Sequence, residues 1–276
     1  MPEATRARFA GRVLRIGDCR EPPAAMIRIP ILPADSPPVF PPLATALRRP
    51  DGLLCGGGDL GAERLLAAYR GGIFPWFDPG QTILWWSPDP RCVFDPAQFH
   101  VSRRLRRFAG GCSFTIGADS DFAAVIDACA GPRADSTGTW IGSEMRAAYC
   151  NLHALGHAHS IEVRAPSGEL VGGLYGVALG RVFFGESMFS RQSGGSKIAL
   201  WALASRLGEW DFPLIDAQVE SPHLVSLGAR LMPREDFIAV LDMHCERPAP
   251  AGSWRERFGT VCARELALAG PVIHDD

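Results

Sequence analysis

The stretch that decides the fold reads SIEVRAPSGELVGGLYGVALGRVFFGESMF, residues 160–189. It contains three short apolar runs, which are separated by Pro166-Ser167-Gly168 and by Leu179-Gly180. Apolar runs of this length bounded by Pro and Gly are typical of strands, and such short connections join antiparallel neighbours. The stretch therefore predicts an antiparallel meander of three strands.

The next segment, SRQSGGSKIALWALASRLGEW (190–210), predicts a helix. Leu203 and Leu207 belong to an apolar series with helical spacing, and Ser196 is a suitable N-cap. PLIDAQV (213–219) follows and predicts one more strand. Because that run is apolar on both faces apart from two residues, we expect it to lie in the middle of a sheet.

The two polar residues of that strand are Asp216 and Gln218, which are two positions apart and so leave the same face. Glu186, in VFFGESMF, is predicted to share a face with Phe184 and Met188. A carboxylate inside an apolar strand is costly unless it is paired or hydrogen-bonded. The pattern is compatible with a catalytic cluster, and also with a structural hydrogen-bond network in which Arg191 would be a partner.

Composition bounds the class of protein. The chain has 276 residues, of which 47% are hydrophobic and 21% charged, with a formal net charge of -2, as in ordinary globular proteins of one or two domains. No apolar run approaches the roughly 18 residues of a membrane helix, and the N-terminus lacks the apolar core of a signal peptide. The eight cysteines form no C-x-x-C pair, which argues against a zinc ribbon or a disulfide framework. We expect a cytoplasmic protein.

Changes of composition along the chain predict four segments. Residues 1–25 mix Arg, Ala and Pro without an apolar period, and we expect a disordered extension there. Residues 26–95 are predicted to form a small N-terminal domain, and residues 96–245 a larger domain that includes the meander. Residues 246–276 are predicted to be a C-terminal tail, to which we assign no function.

The predicted N-terminal domain is rich in glycine and aromatic residues. Gly56-Gly57-Gly58 lacks the G-x-x-x-x-G-K-[ST] pattern of a phosphate loop and predicts a turn before a helix, with Tyr69 facing inward and Gly71 or Gly72 as the C-cap. The aromatic residues that follow are Phe74, Trp76, Phe77, Trp85 and Trp86. They are compatible with a small aromatic core, and also with a stacking surface for bases or apolar side chains.

A run of arginines stands immediately after this domain. HVSRRLRRF (100–108) carries Arg103, Arg104, Arg106 and Arg107 in an otherwise nearly neutral chain. Such a run is typical of a solvated helix face. Because it lies between the aromatic segment and the polar strands, it is also compatible with a phosphate-binding patch.

The middle of the chain predicts a strand and two helices. Asp119 or Ser120 is the expected cap of the first helix, and Ser143 of the second. His153 and His157 are four positions apart, but the helix is predicted to end between them and no H-E-x-x-H pattern is present, so we expect no metal site. The order of elements predicts an α+β fold, in which a mixed sheet is flanked by helices.

Several long motifs make the chain resemble a known family. They are RGGIFPWF (70–77), ILWWSPDPR (83–91), GTWIGSEMRAAYCNLHALGHAHSIEV (138–163), LVGGLYGVALGRVFFGESMFSR (170–191) and LIDAQV (214–219). In this order, from about Ile29 to Leu241, the chain resembles the leucyl/phenylalanyl-tRNA–protein transferases. The resemblance implies a small N-terminal domain and a C-terminal domain with the fold of the GCN5-related N-acetyltransferases.

The resemblance also implies a reaction and its partners. Members of the family transfer Leu or Phe, and less readily Met, from aminoacyl-tRNA to proteins that begin with Arg or Lys, which creates an N-degron for degradation. An aminoacyl ester is already activated, so its aminolysis needs no ATP or redox cofactor, and we expect no cofactor. The family further implies a monomer.

Candidate catalytic residues follow from the same resemblance. Asp216 and Gln218 match the pair nearest the chemistry, and we expect Gln218, oriented by Asp216, to hydrogen-bond the incoming amine and help it lose a proton. Glu186 is expected either to recognise the cationic N-terminus of the acceptor or to hold Gln218 in place.

Substrate-binding residues are implied as well. Trp76, Trp140 and Tyr149 match family positions near the terminal adenosine and the aminoacyl group, which suits a stacking role. Leu174 and Leu203 match the pocket for the amino-acid side chain, and a well-studied member has Phe in place of Leu203. The run of four arginines would bind phosphates of the acceptor stem, with little reading of tRNA identity.

Three other functions stay open from the sequence. Residues 191–196 loosely resemble the phosphate-cradling loop of acyl-CoA-dependent N-acyltransferases. A cell-wall aminoacyltransferase that uses tRNA is a second alternative, although the sequence has no duplicated domain or long helical arm. A non-catalytic protein that binds tRNA or N-degrons is the third.

Overall fold

The computed structural model describes residues 28–131, 139–249 and 251–269. Within them the chain has an α+β architecture, with a small four-stranded sheet near the N-terminus and a larger sheet of eight strands. The predicted α+β class is confirmed, and the large sheet is mixed because one of its strand pairs is parallel. The extension predicted at residues 1–25 lies outside the described residues.

The small sheet has the strand order β1-β2-β4-β3. Its strands are β1 (Ile31–Leu32), β2 (Leu53–Gly57), β3 (Phe74–Pro75) and β4 (Leu84–Trp86). Helix α1 (Ala62–Arg70) connects β2 to β3 and ends at the predicted C-cap Gly71. Tyr69, in its last turn, is completely buried, as its inward position in the pattern predicted.

The large sheet has the strand order β11-β5-β10-β9-β8-β7-β6-β12. Its strands are β5 (Arg91–Phe94), β6 (Thr115–Ala118), β7 (Ala158–Arg164), β8 (Leu170–Leu179), β9 (Val182–Ser190), β10 (Leu214–Gln218), β11 (Arg230–Met232) and β12 (Val261–Cys262). Strands β7, β8 and β9 form the predicted antiparallel meander. Strand β10 lies inside the sheet as predicted, parallel to β9 and antiparallel to β5.

Helices cover both faces of the large sheet. They are α2 (Arg103–Gly111), α3 (Phe122–Ala130), α4 (Ser143–Ala154), α5 (Gly195–Glu209), α6 (Pro222–Val225), α7 (Arg234–His244), α8 (Trp254–Phe258) and α9 (Ala263–Ala269). Two hydrophobic cores result, because consecutive strand residues point to opposite faces. Phe184 packs in the core shared with α1, α3, α4 and α7, and Phe183 in the core shared with α2, α5, α8 and α9.

The N-cap of helix α5 differs from the predicted one. The predicted N-cap Ser196 is wrong: the cap is Gly194, whose φ of +83° favours glycine. Gly195 packs on the backbone of Gly172, where a Cβ would lie 2.5 Å from Gly195 atoms. The amide of Ser196 instead donates to Oγ of Ser190, at 2.8 Å, so that the end of β9 caps the helix.

Two other predicted caps are displaced by one or two residues. Helix α3 is capped by Asp121, whose side chain accepts from the amide of Ala124, and not by Asp119 or Ser120. Helix α4 has Gly142 as its N-cap, so Ser143 is its first helical residue. A cap requires non-helical backbone angles, which residue type alone does not specify.

The described part of the segment predicted as a C-terminal tail belongs to the fold. Trp254 and Phe258 of α8 are buried in the same core as α5, and β12 pairs with β6 at the edge of the large sheet. Helix α9 packs beside α2. The Pro- and Ala-rich composition of residues 246–276 showed no apolar pattern from which these contacts could be predicted.

Candidate active site

A cavity of about 400 Å³ opens where two parallel strands of the large sheet separate. Strands β9 and β10 pair from Val182 with Leu214 to Phe184 with Asp216, and their pairing ends there although both strands continue. The residues that follow on each strand, among them Gly185 and Ala217, line the cavity. Because the two strands separate there, residues in the middle of the sheet become accessible to a ligand.

The cavity has an apolar and a polar part. Its apolar lining comes from the core around α5: Phe94, Leu174, Phe183, Leu200, Leu203 and Ile215. Its polar lining includes Glu186 and Asp216, with Trp140 and Tyr175 beside them. Since the two sets belong to different cores, the cavity reaches through the sheet. It can therefore hold an apolar side chain at one end and polar reacting groups at the other.

Asp216 is completely buried and forms an ion pair with Arg91, which is also completely buried. Nε and Nη2 of Arg91 donate to the two carboxylate oxygens of Asp216 at 2.8 and 2.7 Å. The guanidinium lies between the rings of Phe74 and Phe237, 4.7 and 4.8 Å from their centroids. This fork geometry fixes the direction of both carboxylate oxygens.

Gln218 is joined to both carboxylates. Its backbone amide donates to Oδ1 of Asp216, and its side-chain Nε2 donates to Oε1 of Glu186, each at 2.8 Å. A register shift against β5 separates Asp216 from Gln218, and Gln218 has a φ of +63°. The side chains of Asp216 and Gln218 therefore do not follow the alternation of a straight strand. The bulge nevertheless brings together Glu186, Asp216 and Gln218, the three predicted catalytic residues.

Glu186 accepts hydrogen bonds from two buried tyrosines. The hydroxyl of Tyr69 donates to Oε1 at 2.7 Å and that of Tyr149 to Oε2 at 2.8 Å. Burial raises the pKa of the Glu186 carboxyl to about 7; the tyrosine and Gln218 hydrogen bonds lower this pKa, and the charge of Asp216 raises it. A carboxyl with such a pKa exchanges a proton near neutral pH.

A bulge between β8 and β9 turns Glu186 toward these tyrosines. The register shifts between Tyr175 and Gly176, which pair with Ser187 and Gly185. Beyond the shift, Met188 packs against the core around α5, whereas the tyrosines bound by Glu186 belong to the other core. The predicted shared face is therefore wrong for Met188, whereas Phe184 packs in the same core as the tyrosines that Glu186 contacts.

The predicted partner Arg191 takes no part in this network. Its Nη1 donates to the carbonyl oxygen of Leu170, and its guanidinium lies over the ring of Phe189. Arg91 occupies the place that Arg191 was expected to fill. The sequence contained a signal for it, because Arg91 opens the apolar strand RCVF and a buried charge requires a partner.

Four of the five predicted substrate-binding residues are placed where a ligand could reach them. Trp140, Leu174 and Leu203 line the cavity, and Trp76 is 45% exposed. Tyr149 differs: it is completely buried, its ring contacts Tyr175, and its hydroxyl binds Glu186. A stacking role does not fit Tyr149, since neither ring face is open.

The four arginines of α2 have two different environments. Arg103, Arg104 and Arg107 are exposed on the helix. Arg106 is partly buried; its Nη1 donates to the carbonyl oxygen of Ala267 at 3.0 Å, and its guanidinium lies 5.6 Å from the ring of Trp201. Arg106 thus links α2 to α9 and α5.

Within the described ranges, no group of three or more His, Cys, Asp or Glu side chains is placed to hold a metal ion. His153 contacts the carbonyl oxygen of Ala158 through Nδ1, and His159 contacts Asp119 through Nδ1. None of the helices in the described part of the chain is long and apolar enough to cross a bilayer.

The chain is similar to known proteins over most of its length. A sequence profile described as leucyl/phenylalanyl-tRNA protein transferase matches residues 93–242, and one described as the N-terminal domain of that protein matches residues 58–89. The chain belongs to the leucyl/phenylalanyl-tRNA protein transferase family. The two profile matches therefore include strands β3 and β4 of the small sheet and all the residues that line the cavity.

Individual relatives support the same family. A leucyl/phenylalanyl-tRNA–protein transferase of Xanthomonas axonopodis pv. citri (strain 306) is 55% identical over 240 residues, which cover 87% of this chain and 96% of the relative. One of Stutzerimonas stutzeri (strain A1501) is 55% identical over 216 residues, 78% of this chain and 95% of the relative. Among solved structures, L-PGS from Bacillus licheniformis aligns with 61% of this chain and 54% of its own, at 14% identity and a TM-score of 0.34, too low to support an argument about fold.

Proposed function

We propose that this protein transfers Leu or Phe, and less readily Met, from aminoacyl-tRNA to the α-amine of proteins that begin with Arg or Lys. The observation that carries the proposal is the cavity itself, in a chain of this family. It joins an apolar pocket to a polar network containing Gln218, Asp216 and Glu186. Transfer of an apolar aminoacyl group to an amine needs both parts.

The reaction forms an amide bond and breaks an ester bond. The acceptor amine must first lose a proton, because an ammonium has no lone pair for attack on the ester carbonyl. After the attack, the ester carbon–oxygen bond breaks, and the second proton lost by the amine passes to the ribose oxygen. Since the ester supplies the driving force, the protein's main contribution is to position the two reactants.

Gln218 is proposed to orient the incoming amine. Its Nε2 donates to Glu186, which leaves its amide oxygen Oε1 as an acceptor. No donor in the described part of the chain contacts that oxygen. An N–H of the amine can donate to it, and this directs the nitrogen lone pair away from Gln218 toward the ester. Asp216 supports the arrangement through the backbone amide of Gln218.

Glu186 is proposed to hold Gln218 and to receive the first proton. In its ionised form it accepts from Gln218 and both tyrosines, and its negative charge favours a cationic N-terminus nearby. Because its pKa is raised to about 7, close to that of an α-amine, the proton transfer is nearly balanced. The two roles expected for Glu186 are compatible in this geometry.

The tRNA is proposed to approach along the aromatic loops and α2. A Cβ on Gly142 would lie 3.1 Å from the side chain of Pro79, so the loops that carry Trp76 and Trp140 touch each other. We assign stacking on the terminal adenosine and the aminoacyl group to these two tryptophans, and the amino-acid pocket to the cavity leucines at 174 and 203. We assign phosphate binding to the three exposed arginines of α2 and a packing role to Arg106.

The remaining expectations are proposals of the same kind. We propose a small N-terminal domain that contains β1 to β4, and a catalytic domain of the GCN5-related N-acetyltransferase type that contains the large sheet. The predicted bounds 26–95 and 96–245 need correction, because β5 (Arg91–Phe94) and the segment from Trp254 to Ala269 belong to the larger unit. Support for that fold comes from the parallel pair β9–β10, which separates beside the cavity within an otherwise antiparallel sheet. We further propose a cytoplasmic monomer without a cofactor, whose products are N-degrons.

A transfer assay tests the proposal. Labelled Leu-tRNA, or Phe-tRNA, is incubated with the protein and a peptide that begins with Arg; a peptide that begins with Ala is the matched control. We expect a labelled product with the Arg peptide only, lost after RNase treatment and unaffected by acetyl-CoA. Product that requires acetyl-CoA would establish an acyl-CoA-dependent enzyme instead, and tRNA binding without product would establish a binding protein.

A further inference from the structure

Arg91 is a buried charge that no substrate is expected to reach. It lies in β5 with no exposed surface, between the rings of Phe74 and Phe237. Its Nη1 donates to the carbonyl oxygen of Gly72 at 3.1 Å, and its other contacts go to Asp216. A buried arginine is unfavourable unless paired, and replacing such a pair by apolar residues often costs no stability. Stability alone therefore does not explain the pair.

The geometry of the pair bears directly on Gln218. Asp216 Oδ1 accepts from Nε of Arg91 and also from the backbone amide of Gln218. Gln218 has a φ of +63°, a left-handed conformation that is unfavourable for glutamine, and it follows a register shift. An oriented acceptor at its amide stabilises that conformation, and the conformation sets the direction of the side chain that reaches Glu186.

We propose that Arg91 is a positioning residue for the transfer reaction. Its fork of two hydrogen bonds orients the carboxyl group of Asp216, Asp216 holds the backbone of Gln218, and Gln218 presents its amide oxygen to the acceptor amine. This inference rests on the proposed function. It differs from a purely structural role in one respect: loss of Arg91 must slow turnover through Asp216 rather than through folding.

A double-mutant cycle tests the inference in the full-length protein. The variants are Arg91→Met, Asp216→Asn and the double variant, assayed with Leu-tRNA and an Arg peptide and normalised to folded protein. We expect kcat to fall about 100-fold in each single variant, with the KM values of both substrates little changed. Because the two residues act as one unit, the double variant should be no slower than either single variant.

Stability measurements separate positioning from folding. In Arg91→Met the carboxylate of Asp216 is buried without its cation, so this variant should unfold at a lower temperature than wild type. Asp216→Asn in the same chain removes the unpaired buried charge and should restore stability, but it should not restore kcat.

Arg64 provides a matched control. It is a second buried arginine, paired with Asp59 at 2.8 Å in the N-terminal part and bonded to backbone carbonyls there. Arg64→Met should lower the unfolding temperature and leave kcat per folded molecule unchanged. Arg91→Lys, which keeps the charge but not the fork, should recover part of the lost turnover.

Two outcomes would overturn the inference. Wild-type kcat in Arg91→Met shows that Arg91 does not act on the reaction, and multiplicative losses in the double variant show that it does not act through Asp216. Both are distinguishable from failure of the proposed function, in which the unmodified protein itself transfers no amino acid.

Discussion

Glu162 on β7 and Glu186 on β9 are carboxylates of the same meander, and burial raises the pKa of both. Glu162 accepts hydrogen bonds from the hydroxyls of Ser160 and Ser120 and from backbone amides at the start of α3, including that of Asp121. These donors lie on the same strand and at the start of the neighbouring helix, and Glu162 is 1% exposed. Glu186 instead accepts from side chains of α1, α4 and β10 and lines the cavity.

The comparison teaches that residue type does not assign a role. Glu162 connects the sheet to the start of α3, whereas Glu186 connects the cavity to Tyr69, Tyr149 and Gln218. The same contrast appears between Arg91 and Arg64, and between the exposed arginines of α2 and Arg106. Each pair offers a test in which one member should alter the reaction and the other only the fold.

The largest expected effect belongs to Glu186. Glu186→Gln should lower kcat about 100-fold, because it removes the carboxylate that accepts a hydrogen bond from Gln218 and that we propose to receive the proton. Since the pKa of Glu186 is about 7, the ratio of wild-type to variant rate should rise as pH increases through 7. Taking this ratio cancels titration of the peptide amine, and a ratio independent of pH would contradict the assignment.

The same substitution has a predictable effect on stability. The folded-state pKa of Glu186 lies above its unfolded value, so the stability it contributes is present at acidic pH and is lost as pH rises through about 7. Wild type should therefore lose stability relative to Glu186→Gln between about pH 5 and pH 8. Urea unfolding of both proteins at several pH values measures the difference, and parallel curves would show that the carboxyl is not perturbed.

A smaller effect is expected for the arginines of α2. Replacing the exposed residues Arg103, Arg104 and Arg107 by Ala should weaken tRNA binding and reduce the slope of log Kd against log salt by about 2 to 3, because each phosphate contact contributes about 0.7 to 0.9. Arg106→Ala should reduce stability with little change of slope, since its guanidinium packs on Trp201 and binds Ala267. If the slope of log Kd against log salt were the same in the triple variant and in wild type, these arginines would be a solvated helix face that does not bind tRNA.

The choice between Leu and Phe should change by a moderate factor in Leu203→Phe. The larger side chain narrows the apolar part of the cavity, so the ratio of kcat/KM for Phe-tRNA to that for Leu-tRNA should fall about 10-fold. Leu207→Phe, one turn later in α5, fills the core without facing the cavity and should leave the ratio unchanged. A shift of the same size in both variants would assign the change to strain in the core.

The smallest effect on activity is expected for Glu162. Glu162→Gln should reduce the free energy of unfolding by about 1–3 kcal/mol, because the amide nitrogen would face hydroxyl or backbone donors. Turnover per folded molecule should stay at the wild-type value. A loss of turnover comparable with that of Glu186→Gln would remove the distinction between the two carboxylates.

Local patterns in the sequence predicted much of the fold. The meander, the inner strand β10, helix α5 and the C-cap of α1 follow from periodicity and from glycine positions. The same local patterns identified Glu186, Asp216 and Gln218 as candidate site residues, because a polar residue in an apolar strand can be recognised without knowing its neighbours in space. The predicted N-caps of α3, α4 and α5 were one or two residues away from the observed ones, because backbone angles decide where a helix begins.

The sequence by itself determined the secondary structure of the central segment, the family and the polar residues of the strands around the cavity. Only the tertiary structure decided that Arg91 neutralises Asp216 from 125 positions away and that Tyr69 reaches Glu186 from 117 positions away. The tertiary structure also decided that two β-bulges orient the side chains of Gln218 and Glu186 toward each other. It decided as well that Tyr149 is buried. The physical reason is that periodicity reports which side of an element is apolar, whereas the partner of a buried charge depends on how distant segments pack.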